Sequence, residues 1–318
     1  MSNISKNKII AIVGTTGSGK TSLAVDLSLK FQGEVVSADS RQVYKYMDIG
    51  SGKDLCEYSV ERDGVKTDIP YHLIDVAHPN DKYDLAKWLK GAKIAIDSIV
   101  KRKKLPIIAG GTGLYVQSLI DGYKLSEASV DQGLREKLEK LKPGDLLEKL
   151  KKINPVLADK LNNSERNNKR RLIRHIEILT NTSQLDITEK KTEQIAPYNH
   201  LVIGLTWPRE DLKKRILKRI IDRLDNEDML GEVERLHSEH EVSWKRLESF
   251  GLEYKFLARH LQDKINYNDM IKKLHIATSQ FAKRQMTWLR RWEKQGAKIN
   301  WVNDSSEAEE LTKRFLNK

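Results

Sequence analysis

The chain has 318 residues, of which 39% are hydrophobic and 32% charged, and carries a net charge of +12. That length suits one large domain or a core with a smaller companion, the low apolar share points to long, surface-rich helices, and the basic excess favours a polyanionic partner. Cys56 is the only cysteine, which excludes an intrachain disulfide or a cysteine zinc cluster; no apolar run nears the ~20 residues of a membrane span, and the N-terminus lacks a signal-peptide core, so the expectation is a cytoplasmic protein.

In chain order, Ile9–Val13 reads as a short, fully buried strand. Lys20–Phe31 follows as a helix with Leu23, Leu27 and Phe31 on one face. Val35–Ala38 is a second buried strand, ending at Asp39-Ser40, and His72–Val76 a short third. Asp84–Lys103 is an amphipathic helix with Leu85, Trp88, Leu89, Ala92 and Ile96 at helical spacing. Leu105–Ala109 is a strand that enters Gly110-Gly111-Thr112-Gly113. From 121 to about 200 the periodicity is helical. Leu201–Leu205 resumes a strand, helices are expected at 209–237, 249–262 and 267–294, and Ile299–Val302 is a last edge strand. Strands alternating with helices imply a parallel sheet covered on both faces. The reading is an α/β core in two parts, 1–120 and 201–318, with a helical insertion at 121–200.

"GTTGSGKT", Gly14 to Thr21, has the G-x-x-x-x-G-K-[ST] pattern between a strand and a helix, the context that makes it a phosphate loop. Gly14 and Gly19 let the backbone approach an anion, successive N–H groups and the helix N-terminus favour it, Lys20 adds a charge, and the Thr21 hydroxyl can ligate Mg²⁺. The motif specifies a phosphate and not a reaction. A kinase would show an aspartate closing a longer apolar strand; the best candidate, Asp75 in "YHLIDV", closes a short one. "GSGK" at 50–53 resembles a second phosphate loop but has no strand before it. Asp39 lies past the second strand at the carboxyl edge of the sheet, where ligands bind in open α/β folds. There it could take a proton, hold Mg²⁺ or cap a turn. Thr112, among three glycines, could bond a substrate or belong to a plain strand–helix turn.

Taken together, "GTTGSGKT", "SADSRQVYKYMDIGSGKD", "IPYHLIDV", "GGTGLY", "RRLIRHIEI", "GLEYK" and "FAKRQMTWLRRWE" resemble the tRNA dimethylallyltransferase (tRNA isopentenyltransferase) family, in the family's order and over nearly the whole chain. "DSRQVYKYMDIG" and "FAKRQMTW" are far more specific than the phosphate loop. The resemblance implies a P-loop NTPase-like α/β core with a parallel sheet and a mainly helical insertion domain. It implies transfer of a dimethylallyl group from its diphosphate to N6 of adenosine 37 of tRNA, with release of pyrophosphate. Asp39 would be the general base, with Thr112 and Lys20 also catalytic. Gly14, Thr15, Thr16, Gly17, Ser18, Gly19, Lys20, Thr21 and Arg219 would bind the diphosphate, with Mg²⁺ on Thr21. Asp39, Ser40, Arg41, Gln42, Thr112, Arg135, Arg170, Arg171, Leu172, Ile173 and Arg174 would contact tRNA.

Arg166, Lys169, Arg170, Arg171 and Arg174 crowd one part of the insertion against Glu165 alone. Residues 271–300 carry eight Lys or Arg and one Glu, and on a helical wheel Phe281, Gln285, Trp288 and Trp292 oppose Lys283, Arg290 and Lys294. The aromatic side suits the core, and the basic side could follow an RNA backbone. The sequence departs from the commoner family pattern at Gly231, which lies between Leu230 and Glu232. No zinc-binding extension like that of eukaryotic relatives is expected, and tRNA contacts are expected from core and insertion. Nothing demands a dimer. The competing readings are a kinase, which would need ATP and an adenine pocket but no basic insertion, and an RNA-binding module with a vestigial loop, which intact Lys20, Thr21 and Asp39 oppose.

Overall fold

The computed structural model describes residues 7–123, 131–181 and 196–317. Along the chain run β1 (Lys8–Gly14), α1 (Lys20–Phe31), β2 (Gly33–Ser37), the antiparallel pair β3 (Ser59–Arg62) and β4 (Val65–Asp68), β5 (Tyr71–His72), α2 (Leu85–Lys101), β6 (Leu105–Ala109) and α3 (Gly113–Ile120). Among the described residues there follow α4 (Gln132–Glu139), α5 (Pro143–Ile153), α6 (Pro155–Lys160), α7 (Asn163–Arg166) and α8 (Lys169–Asn181). Then come β7 (Asn199–Leu205), α9 (Arg209–Asp225), α10 (Met229–Ser238), α11 (Trp244–Phe250), α12 (Leu252–Leu261), α13 (Tyr267–Lys294), β8 (Ile299–Val302) and α14 (Ser305–Leu316). Contacts divide the chain into two compact units, Met1–Gly122 with Ala196–Lys318, and Tyr123–Ile195.

The first unit is a six-stranded, all-parallel sheet in the order β5-β2-β6-β1-β7-β8. Side chains alternate across a strand, and on β1 both sets are buried. Ile9, Ala11 and Val13 join the core on one face, with α2, α3 and α13; Ile10 and Ile12 join the other, with α1 and α14. This double burial explains why β1 is an unbroken apolar run. Each of the isoleucine and valine side chains contributes about 1.5–3 kcal/mol on leaving water. The architecture is the P-loop NTPase-like α/β fold expected.

Three expected elements differ. The expected strand at His72–Val76 shrinks to Tyr71–His72, because Leu73 and Asp75 adopt left-handed φ of 63° and 57°. The helix expected at 209–237 breaks at Asn226–Asp228. Asp228 (φ 57°) caps α10, its carboxylate accepting from Gly231 N at 3.2 Å. A Cβ on Gly231 would meet that carboxylate at 2.3 Å, which accounts for the glycine before Glu232. The helix expected at 249–262 starts earlier, at Trp244, and is interrupted at Gly251 (φ 79°).

In the second unit, Leu138, Leu146, Leu150, Ala158, Leu172 and Ile176 form a small core of fully buried side chains. Asn154 caps α6 and Asn162 caps α7. Parts of the expected insertion, 124–130 and 182–195, lie outside the described residues. Among the described residues no helix is long and apolar enough to cross a membrane.

Candidate active site

The carboxyl ends of β1, β2 and β6 deliver three loops to one place. After β1, a Cβ on Gly14 would lie 2.5 Å from the Leu205 carbonyl oxygen, so only glycine lets the loop leave the sheet here. The Gly17, Gly19, Lys20 and Thr21 amides have no hydrogen-bond partner among the described residues. They sit at the N-terminus of α1, where four free amides and the helix dipole make an anion seat. Lys20 Nζ donates to Thr15 O at 2.7 Å. The loop is braced from outside: Trp207 Nε1 donates to Ser18 O (3.1 Å), Arg215 Nε to Gly17 O (3.1 Å), and the Arg215 guanidinium lies 4.3 Å over the Trp207 ring.

The other two loops are laced together. Ala38 N donates to Ala109 O (2.8 Å) and Thr112 N to Ala38 O (3.1 Å). A Cβ on Gly110 would fall 2.2 Å from the Ala38 oxygen, so this glycine is fixed by backbone contact. Thr112 Oγ1 accepts from Ser40 N (3.0 Å), and Asp39 Oδ1 accepts from Arg41 N (2.8 Å).

All three loops line a cavity of about 810 Å³. Thr16, Gly17, Gly19, Lys20, Thr21, Asp39, Ser40, Arg41, Gln42, Thr112 and Arg219, all expected from the sequence, meet there. Arg219 Nη2 donates to Thr16 Oγ1 at 2.7 Å. Burial lowers the Lys20 pKa to about 8; Asp39 opposes that shift and the like charge of Arg219 adds to it. Burial and neighbouring Arg223 lower Arg219 as well.

Some expected contacts take other forms. Gly14, Thr15 and Ser18 do not line the cavity, and the Thr15 and Ser18 side chains are buried. Arg41 lines the cavity and is also bonded within the protein: Nε and Nη2 both donate to Phe250 O, at 2.9 and 2.5 Å. Gln42 is used at both ends, accepting from Ser37 Oγ (2.7 Å) and donating to Gly52 O (2.7 Å). In the second unit, Leu172 and Ile173 are core residues with no side chain to offer. Arg135 clasps the fully buried Glu177 carboxylate at 2.6 and 2.8 Å, and Arg174 approaches it at 3.5 Å. Arg171 pairs with Glu165, while Arg170 is exposed.

Several contributors were not legible as site residues. The loop over "DIGSGKD" is an anion nest filled by the chain itself: buried Glu232 accepts from Asp48 N (2.7 Å), Ile49 N (2.6 Å), Gly50 N (3.0 Å) and Tyr254 Oη (2.9 Å). Burial pushes its carboxyl up and those bonds pull it back. Lys53, 1% exposed, pairs with Asp48 (2.5 Å) and with Asp75. "GSGK" is therefore a structural loop, and Asp75 is committed to Lys53. Arg223 holds Asp54 at 2.7 Å. Gln285 of α13 is hydrogen-bonded to the phosphate loop. Among the described residues no cluster of three His, Cys, Asp or Glu could hold a metal.

Comparison with known proteins agrees with this geometry. The family model "IPP transferase" matches residues 42–292 and "Isopentenyl transferase" residues 7–61. A tRNA dimethylallyltransferase of Treponema denticola is 43% identical, covering 93% of this chain and 96% of that protein. One from Geotalea daltonii is 40% identical, covering 94% and 92%. Among solved structures, the tRNA isopentenylpyrophosphate transferase of Bacillus halodurans superposes with a TM-score of 0.68 at 31% identity, covering 98% of this chain and 97% of that one. A eukaryotic dimethylallyltransferase described as acting on tRNA superposes at 0.78 with 28% identity, covering 94% and 75%. A phosphate loop facing a carboxylate across one cavity is thus found in a chain that belongs, over nearly its full length, to the tRNA dimethylallyltransferase family of transferases.

Proposed function

We propose that this chain transfers a dimethylallyl group from dimethylallyl diphosphate to N6 of adenosine 37 in tRNA and releases pyrophosphate. The observation that carries the reading is the shared cavity, with the free amides of the phosphate loop and Lys20 on one side and Asp39 on another. The exocyclic amine of adenine is a weak nucleophile, its lone pair delocalised into the ring. As the N6–carbon bond forms, the carbon–oxygen bond to the diphosphate breaks, the amine proton passes to Asp39, and the bonding pair leaves on pyrophosphate. Proton removal of this kind is worth roughly 10²–10⁴ in rate. Lys20, Arg219 and the loop amides hold the charge that builds on the leaving group, each well-placed donor contributing about 3 kcal/mol. Thr112 and Ser40, bonded to each other, steady the Asp39 turn.

The Thr21 hydroxyl lines the cavity and makes no hydrogen bond among the described residues. That suits Mg²⁺, which takes one or two protein oxygens and completes its shell with water and phosphate. When bound there, the ion would neutralise charge on the diphosphate. Adenosine 37 must leave its stack to reach Asp39, at a cost of a few kcal/mol. The exposed arginines of α8 are the groups we assign to the tRNA backbone in return. In this reading the enzyme works in the cytoplasm as a monomer, one chain supplying loop, base and basic helix. A kinase reading is weakened by Asp75, whose carboxylate is held by Lys53.

The test is a transfer assay with Mg²⁺, unmodified tRNA and labelled dimethylallyl diphosphate, read by nucleoside mass spectrometry. A dimethylallyl-adenosine peak that falls by on the order of 10²–10⁴ in Asp39→Ala, with tRNA binding retained, is expected. Wild-type turnover in that variant would remove Asp39 as the base. Phosphate moving from ATP to an acceptor, with no prenylated nucleoside, would overturn the function.

A further inference from the structure

Gln285 lies on α13, more than 170 residues from either loop it touches. It is 7% exposed, and both ends of its amide are used. Oε1 accepts from the Thr16 amide at 2.8 Å, inside the phosphate loop, and Nε2 donates to Gly111 O at 2.8 Å, in the turn after β6. Among the described residues no other side chain is hydrogen-bonded to both. The helix presses here: a Cβ on Gly111 would lie 2.5 Å from Gln285 Nε2, and one on Gly113 would lie 2.5 Å from Trp288 Cδ1. The glycines of "GGTG" make room for α13.

The sheet order gives this bridge its meaning. β6 lies between β1, which carries the phosphate loop, and β2, which ends at Asp39. The strands that carry the loop and the base are therefore two spacings apart, about 9.5 Å. Gln285 spans from the loop to the β6 turn. From that turn Thr112 N reaches Ala38 O, and Ser40 N reaches Thr112 Oγ1, on either side of Asp39. A Cβ on Gly111 would lie 3.5 Å from Asp39 Oδ2, so the bridge ends beside the carboxylate. Thr16 is also held by Arg219. Below the loops, β1 and β6 are joined by their strand ladder and by the Gly110 N to Ile12 O bond of 3.3 Å; beyond the strand ends, Gln285 is, among the described residues, the side chain that ties the phosphate loop to the β6 turn.

We propose that Gln285 is a positioning residue that sets the separation between the leaving-group loop and the Asp39 base. Its side chain lines the same cavity, and it acts through the two loops that it holds. The inference rests on the prenyl-transfer reading, because a displacement needs nucleophile, carbon and leaving oxygen held in line with reacting atoms about 3–3.5 Å apart. Misplacement by about 1 Å costs on the order of 100-fold.

Two variants test it. Gln285→Met keeps the length and removes both polar ends; Gln285→Asn keeps the amide but is one methylene too short to span. Thermal melts establish folding, and steady-state kinetics follow with dimethylallyl diphosphate and tRNA. The expected result is a kcat lower by on the order of 100-fold, with KM for both substrates within about threefold of wild type. Inorganic pyrophosphate, titrated by calorimetry, should bind both variants as it binds wild type. A folded variant with wild-type kcat would overturn the proposal. So would a loss confined to KM for the diphosphate, or to pyrophosphate affinity, since Gln285 would then only shape the anion seat. Failure of both variants to fold would make it a structural brace and also end the proposal. A wild-type enzyme that transfers no dimethylallyl group would refute the functional reading instead, and that control is read first.

Discussion

At the scale of single residues, Lys20 shows how burial and function meet. An ammonium crowded by protein and by Arg219 is held to a pKa of about 8, with Asp39 opposing the shift. An anion in the loop would favour the charged form and raise that pKa. The sign follows: the bound state then holds the proton more tightly than the free state, so anion binding takes up protons above pH 8 and weakens as pH rises further. Pyrophosphate affinity, followed by calorimetry from pH 7 to 9.5 in buffers of different ionisation heat, should therefore fall above about pH 8. In Lys20→Arg, whose charge cannot be removed in this range, that part of the fall should vanish. A wild-type profile identical to that of Lys20→Arg would show that Lys20 does not titrate there. The residue itself was legible from its motif. Its pKa was not, because Asp39 and Arg219 come from other parts of the chain.

At the scale of elements, what could be read from sequence was local. β1 was legible because both its faces are apolar, and the phosphate loop because its spacing encodes a backbone path. What stayed hidden was long-range polar bonding. "GSGK" has the spacing of an anion loop, and its neighbouring amides do bind an anion, but that anion is Glu232, more than 180 residues away. Gln285 was read among aromatic residues on one helix face, and it is indeed buried; only the fold reveals which amide and which carbonyl meet it. Ile173 and Leu172 sit in a motif associated with tRNA, yet helical periodicity turns them inward while Arg170 and Arg171 face out. The Glu232 nest permits a direct prediction. Glu232→Ala would strip partners from three amides and the Tyr254 hydroxyl, and should destabilise the protein by at least about 3 kcal/mol in urea unfolding. Glu232→Gln, which keeps an acceptor oxygen, should lose less. Equal midpoints for Glu232→Ala and wild type would mean that the loop is held by Lys53 and its two aspartates alone.

At the scale of the whole molecule, the net charge of +12 draws any polyanion, and only its local arrangement can distinguish tRNA from other polyanions. The arginines of the helical unit are not equivalent. Arg135 neutralises a carboxylate with no access to water, so removing it would damage the unit before it tested any RNA contact. Arg174 shares that carboxylate. Arg170 and Arg171 lie on the exposed side of α8, and among the described residues the Arg171 side chain pairs with the partly exposed Glu165. Their combined replacement, Arg170→Ala with Arg171→Ala, should leave the melting temperature close to wild type and weaken tRNA binding at low salt. The logarithm of affinity against the logarithm of salt should lose about one unit of slope for each phosphate contact removed, about two in all. Filter binding of unmodified tRNA between low and moderate salt measures this directly. A parallel line displaced downward would mean that the pair shapes the helix without touching phosphate; an unchanged line would move the tRNA contact elsewhere, with the exposed Lys283, Arg290 and Lys294 of α13 as the next group to remove.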